Sequence, residues 1–272
     1  MRELLEAVAA GECSPAAAEA ELRGYVRSEA GRFDAAREAR SGVPEAILAE
    51  GKTPEETAAM AEAAVETTGR ALVTRADGDA VDACRRHLDD AWPDASVERD
   101  ERAGTLVVHA PGYEPPSLDA TVGVVTAGTA DAPPANEAAV VAREMGARVE
   151  RTDDVGVAGL PRLLDQLEAL RGTDALVVAA GREGALPTVV AGLVDVPVVG
   201  LPTSTGYGHG GDGEAALAGM LQSCTPIAVV NVDAGFAAGA QVGLVARAIS
   251  EARGDGQVGP DRDEASDGDD LA

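Results

Sequence analysis

Aromatic side chains make up only 2% of this 272-residue chain, so its 45% of apolar residues must pack a core mainly from Ala, Val, Leu and Gly. Small side chains of that kind suit tight helix–sheet layers. Lysine is almost missing. Lys52 stands alone, all other basic residues are arginine, and 47 acidic residues against 22 basic ones give a formal charge of −25. Nucleic acid is therefore not an expected partner, because phosphates need Lys and Arg clusters that this chain lacks. No D-x-D-x-D-G calcium loop accounts for the acidity. A carboxylate-coated surface suited to a high-salt cytoplasm does account for it, since hydrated carboxylates maintain solubility where screening is strong. Cys13, Cys84 and Cys224 are an odd set without a close pair, which excludes a disulfide framework and a CxxC metal site. No apolar run approaches 18 residues, and the N-terminal MRELLEAVAAGE lacks an apolar core of signal-peptide length. The expectation is a cytoplasmic protein with no membrane partner.

What is present is a regular alternation from Thr121 to about Ile249, in which short apolar runs end in glycine-rich loops. The strands read as 121–128, a short one near 148, 175–180, 197–204 and 227–233. The helices between them read as 135–145, 160–170, 186–194 and 213–224, with a closing helix over 238–252. Strands separated by helices pair in parallel through right-handed crossovers and carry ligand loops at their carboxyl ends. Before this domain, Ser14-Pro15 and Thr53-Pro54-Glu55-Glu56 have the pattern of helix starts. Strand, helix, strand and strand follow over 71–109. The PGYEPPS stretch at 111–117 reads as a boundary loop. The expected organisation is a small α+β module over 1–117, a three-layer α/β domain over 118–253 and an acidic disordered tail over 254–272.

The glycine loops carry a resemblance. GTAD (128–131), DVGVAG (154–159), GREGALPTVVAGL (181–193), PTSTGYG (202–208), LQSC (221–224) and NVDAGF (231–236) together resemble the LarB family. FDAAREARSGVPEAILAEGKT (33–53) adds a thinner likeness in the first half. The C-terminal half of LarB is similar to PurE, the carboxylase/mutase acting on aminoimidazole ribonucleotide, so a PurE-like parallel-sheet domain is implied. The implied activity begins nickel-pincer cofactor biosynthesis. It carboxylates C5 of the pyridinium ring of nicotinic acid adenine dinucleotide and hydrolyses the phosphoanhydride, giving pyridinium-3,5-biscarboxylic acid mononucleotide and AMP. CO2 or bicarbonate is the implied co-substrate, Mg2+ the implied ion for the anhydride step, and a homo-oligomer with sites shared between subunits, of octamer size, the implied assembly. The alternative is the PurE-type reaction on aminoimidazole ribonucleotide, which uses no cysteine nucleophile.

Carried over by position, the resemblance implies Cys224 as nucleophile and Glu183 as acid/base, with Asp131 and Asp154 assisting in proton handling or in positioning a metal ion. Substrate binding falls to Gly128, Thr129 and Asp131 in the first loop and to Gly181, Gly184 and Ala185 in the third. The fourth loop contributes Pro202, Thr203, Ser204, Gly206, Tyr207 and Gly208, and the last Asn231 and Asp233. No metal ligand is assigned. Ala234 stands where the family more often has Asn, and the Gly- and Asp-rich 208–213 segment leaves His209 without a role. Plainer readings stand beside these. A cysteine before an apolar strand is ordinarily packing, as Cys13 and Cys84 are read here. GTAD also suits a strand-to-helix turn, and Glu183 alone could be a solvated loop charge.

Overall fold

A computed structural model describes residues 2–11, 13–28 and 30–257. Helices α1 (Arg2–Ala10) and α2 (Pro15–Arg23) lead into a hairpin of β1 (Val26–Ser28) and β2 (Gly31–Phe33) and a short α3 (Arg37–Ser41). Strand β3 (Ile47–Leu48) precedes α4 (Pro54–Thr68), which opens on the expected capping box. The Thr53 hydroxyl accepts from the Glu56 N–H at 3.1 Å, and the Glu56 carboxylate accepts from the Thr53 N–H at 2.8 Å. Then come β4 (Arg70–Thr74), α5 (Gly78–Ala91), β5 (Ser96–Asp100) and β6 (Thr105–His109), and the four-stranded sheet has the order β3-β4-β6-β5.

The second sheet is built from β7 (Thr121–Thr126), α6 (Ala132–Glu144), β8 (Arg148–Thr152), α7 (Leu160–Leu164), α8 (Leu167–Arg171), β9 (Ala175–Ala180), α9 (Ala185–Ala191), β10 (Val198–Pro202), α10 (Glu214–Leu221), β11 (Ala228–Val229) and α11 (Gly235–Gln257). Its order is β11-β10-β9-β7-β8, and every pairing is parallel. The expected α/β class with a small preceding α+β module is the architecture found. β7 and β9 are apolar on both faces because helices cover both. On one side lie Ala135, Ala138 and Ala142 of α6 with Ala238, Val242 and Ala246 of α11. On the other lie Leu163, Leu186, Val190 and Met220, from α7, α9 and α10.

The α6–α11 pair also serves the first sheet. Leu72 of β4 and Val107 of β6 pack on Val140, Val141, Met145 and Ala240, while Val73, Leu106 and Val108 point the other way, toward α4 and α5. The two helices are thus a layer common to both sheets. They approach closely because α11 sets Gly235, Gly239 and Gly243 on one face. A Cβ at Gly239 would run into the Ala138 carbonyl, and one at Gly243 into the Met145 side chain. Arg70 pins the same interface. Buried at 5% exposure, its guanidinium donates to the Glu144 carbonyl at 2.6 Å and to Glu38 Oε2 at 2.6 Å, and His109 Nε2 lies 2.9 Å from Glu144 Oε2.

Several boundaries differ from expectation. The hairpin over 26–33 shows no alternating pattern in sequence and is additional. The helix expected over 160–170 is two short ones. α10 ends at Leu221, so Cys224 lies in the connection to β11 rather than in a helix, and β11 keeps only two residues of the run 227–233. α11 continues through Gln257, into the expected tail, and residues 258–272 lie outside the described residues.

Candidate active site

The loops that leave β7, β9 and β10 are tied together at the carboxyl edge of the parallel sheet by one side chain. Asp131 is 5% exposed and accepts four hydrogen bonds. Its Oδ2 takes the Gly128 N–H at 2.8 Å. Its Oδ1 takes the Gly181 N–H at 3.1 Å and the hydroxyls of Thr203 and Thr205, each at 2.6 Å. A carboxylate bonded in this way orders the loops that donate to it. Asp131 is thus the knot of the site. Gly181 must be glycine, because a Cβ there would occupy the space of the Thr203 and Thr205 hydroxyls. Gly184 takes φ +65° against Ala216 to start α9, a conformation and contact that favour glycine.

Around this knot opens a cavity of about 560 Å³ lined by Gly128, Gly181, Glu183, Ala185, Gly206 and Tyr207 among others, with Val157 and Leu186 supplying an apolar wall. Glu183 is exposed at its mouth and also lines an adjoining hollow of about 320 Å³. Among the described residues, no hydrogen bond or ion pair engages its carboxylate, which leaves it open to a ligand. Arg182, not singled out in the sequence, holds φ +54° and stacks its guanidinium over the Tyr207 ring, 4.5 Å from the centroid.

The other expected residues are distributed as follows. Pro202 ends β10 as a buried residue, and Gly208 takes φ +90° in the loop beyond it. Ser204 donates its N–H to Asp233 Oδ1 at 2.9 Å, and both border a second cavity between the two halves of the chain. The Thr129 carbonyl accepts from Arg102, at a separate hollow. Asn231 accepts from the Val232 N–H through its own side chain. Asp154 is not brought to Glu183. It takes φ +61°, pairs with Arg162 at 2.6 Å and lines another hollow with Asp153 and Asp165.

Cys224 is exposed, whereas Cys84 is buried in the first core, where loss of hydration pushes its thiol up to about 11 and makes it a poor nucleophile. The Glu183 cavity is not lined by Cys224. Its neighbour Thr225 donates to the Thr188 carbonyl at 3.3 Å, beside α9, while Gly219, five residues earlier, is the part of α10 that abuts the Glu183 carbonyl. Within one chain the thiol thus sits lower on the α9–α10 layer than the carboxylate.

Among the described residues, no group of three or more His, Cys, Asp or Glu side chains is arranged to hold a metal ion. No helix of the described residues is long and apolar enough to cross a membrane.

Comparison with known proteins follows the two halves of the chain. The LarB/PurE-like N-terminal domain model matches residues 25–110, and the AIR carboxylase model matches residues 121–257. An uncharacterised protein of Methanocaldococcus jannaschii is 38% identical over 223 residues, covering 79% of this chain and 84% of the relative. Two crystal structures of Treponema denticola PurE proteins align at 17% identity with TM-scores of 0.36, covering 51% of this chain and 97% and 98% of theirs. The chain belongs to the AIR carboxylase family of carboxylase-type enzymes, in the two-domain form that pairs the LarB/PurE-like N-terminal domain with a PurE-like C-terminal domain.

Proposed function

We propose that this protein carboxylates C5 of the pyridinium ring of nicotinic acid adenine dinucleotide and hydrolyses its phosphoanhydride, releasing pyridinium-3,5-biscarboxylic acid mononucleotide and AMP as the first step of nickel-pincer cofactor biosynthesis. The observation that carries this reading is the state of the thiols: Cys224 is exposed on the same helical layer as an open carboxylate, Glu183, while Cys84 is buried. In this scheme the Cys224 thiolate adds to C4 of the ring, and the electron pair of the C4–C5 bond system passes to the ring nitrogen. The resulting enamine attacks CO2 through C5. Glu183 takes the C5 proton, and expulsion of the thiolate restores the aromatic cation. The ring lies in the apolar-walled Glu183 cavity, with Arg182 at its edge.

Because Cys224 and Glu183 occupy different levels of one chain, the proposal includes a homo-oligomer in which Cys224 of one copy faces the Glu183 cavity of the next. Mg2+ would come held mainly by the substrate's phosphates, as is usual for this ion. No step above runs through it.

The test is mass spectrometry of products from the purified protein with the dinucleotide, bicarbonate and Mg2+. Expected are the biscarboxylated mononucleotide and AMP, both absent with Cys224→Ala. Mixing Cys224→Ala with Glu183→Gln subunits should restore part of the activity if the site is shared. Turnover of aminoimidazole ribonucleotide instead, unaffected by Cys224→Ala, would overturn the reading and support the PurE-type alternative.

A further inference from the structure

Among the described residues, the Glu183 cavity is lined only from 127–207, so the α+β module supplies none of its wall. A chain of polar contacts nevertheless runs from the module to two parts of that wall. It starts in the turn between β5 and β6. Asp100 Oδ1 accepts the N–H groups of Arg102 and Ala103, each at 2.9 Å, which shapes the turn. The turn then grips the second domain twice. The Arg102 guanidinium donates to the carbonyl of Thr129, in the short turn that ends in Asp131. Asp100 Oδ2 accepts from the amide of Asn136, on α6, at 3.0 Å.

Asn136 passes the contact on. Its Oδ1 accepts from the Arg151 guanidinium at 2.7 Å, and Arg151 also donates to Asp153 Oδ1 at 2.7 Å. The same Asp153 oxygen accepts from the buried Thr126 hydroxyl at 3.0 Å. Thr126, the last residue of β7, then receives the loop after β8. Its hydroxyl accepts the Asp154 N–H at 3.2 Å and its carbonyl the Val155 N–H at 3.0 Å. Gly156, Val157 and Ala158 follow directly and line the Glu183 cavity. That loop has no slack, since a Cβ at Gly156 would run into the Ala127 carbonyl. Asn136 is the joint of the chain. A carboxylate only accepts and a guanidinium only donates, so an amide, with one group of each kind, satisfies Asp100 and Arg151 together. The fold has little need of these bonds. Arg102 and Arg151 are exposed, where polar pairs contribute little to stability, and β8 is already paired with β7 along its whole length. The hollow that these side chains border is no ligand site either, because its remaining charges, Arg143 and Glu98, pair with each other at 3.2 Å.

We propose that Asn136 is a positioning residue, through which the Asp100–Arg102 turn of the α+β module sets the 128–131 and 156–158 walls of the Glu183 cavity around the reacting ring. The role rests on the carboxylation reading above for its substrate. A wall displaced by a fraction of an ångström leaves the ring bound but out of line for reaction, so the loss falls on kcat rather than on KM.

A swap tests it. Asn136→Asp sets two carboxylates against each other. Asp100→Asn combined with Asn136→Asp rebuilds the bond with its donor reversed, and it keeps acceptors for Arg151 and for the Arg102 and Ala103 N–H groups. With nicotinic acid adenine dinucleotide, bicarbonate and Mg2+, Asn136→Asp should lower kcat about tenfold and leave KM within about threefold. The double variant should return both to within about threefold of wild type. Amide hydrogen exchange on the full chain needs no substrate. Exchange at 128–131 and 155–158 should quicken in Asn136→Asp and recover in the double variant, while β9 and β10 stay as protected as in wild type. Arg102→Met, at an exposed position, cuts only the bond to Thr129 and should quicken exchange at 128–131 alone. Wild-type kcat and loop exchange in Asn136→Asp would overturn the proposal, as would a double variant no better than the single one. Absence of turnover by wild type would remove the carboxylation reading and leave the exchange of the same variants to decide the role of Asn136.

Discussion

Asp131, just before α6, and Glu137, in its second turn, are both buried, and their surroundings treat them in opposite ways. Asp131 receives four donors from three loops and ties the rim of the Glu183 cavity together. Glu137 has one oxygen without a partner, and burial drives it toward its neutral form. The lesson is that burial alone does not assign a carboxylate its work. A fully bonded one holds structure together, whereas an incompletely bonded one is costly to keep charged.

Removing Asp131 should have the largest effect. Asp131→Ala strands two N–H groups and two hydroxyls near the sheet edge, so a loss on the order of 4 kcal/mol is expected, with activity falling more than a hundredfold as the loops lose register. Denaturant melts and steady-state rates measure both. A variant of near wild-type stability would show that the knot is not what orders the loops. Glu183 sharpens the contrast because it is exposed. Glu183→Gln should lower product formation by roughly 10²–10⁴-fold, as for a lost general base, while stability stays within about 0.5 kcal/mol of wild type; a combined loss of fold would place it with Asp131.

Glu137 should appear mainly in the pH dependence. Its folded-state pKa is raised, so the native state holds a proton that the unfolded chain releases, and stability declines as pH climbs from the ordinary carboxylate range through the raised value. Glu137→Gln should flatten that decline, with melting curves that coincide in acid and separate above it. Asp174 gives the smallest and opposite signal. Its hydrogen bond to the Arg253 guanidinium lowers its pKa, so its contribution is present above the unfolded pKa and is lost as pH falls through the folded one. Asp174→Asn should reduce only that acid-side loss in a pH series of thermal melts; an alkaline effect would contradict it.

These contrasts also mark what could be read in the chain. The parallel sheet was legible because its strands are unbroken Val, Ala and Leu runs, which only burial on both faces explains. The Thr53 capping box was legible because its bonds are local. GTAD, GREGALP and PTSTGYG are the loops that Asp131 ties together, as loops at one sheet edge can be. The tie that Asp131 makes was not legible, because it runs to groups far along the chain, the Gly181 N–H and the Thr203 and Thr205 hydroxyls. Asp154 was grouped by its glycine-rich loop, whose left-handed backbone and pairing with Arg162 no local pattern records. Glu137 lay in an alanine-rich helix where an acid ordinarily faces water. Only the layer between two sheets makes that position interior, and nothing local records it.

That layer has a mechanical consequence. With α6 and α11 wedged between both sheets, and with glycines at 235, 239 and 243 admitting no slack, the α+β module cannot swing as a lid on a hinge. Cutting the chain at the PGYEPPS loop would leave Val140, Val141 and Met145 facing water, so the halves should melt in one cooperative transition rather than two. A ligand lodged at either sheet edge would then stiffen the whole chain at once.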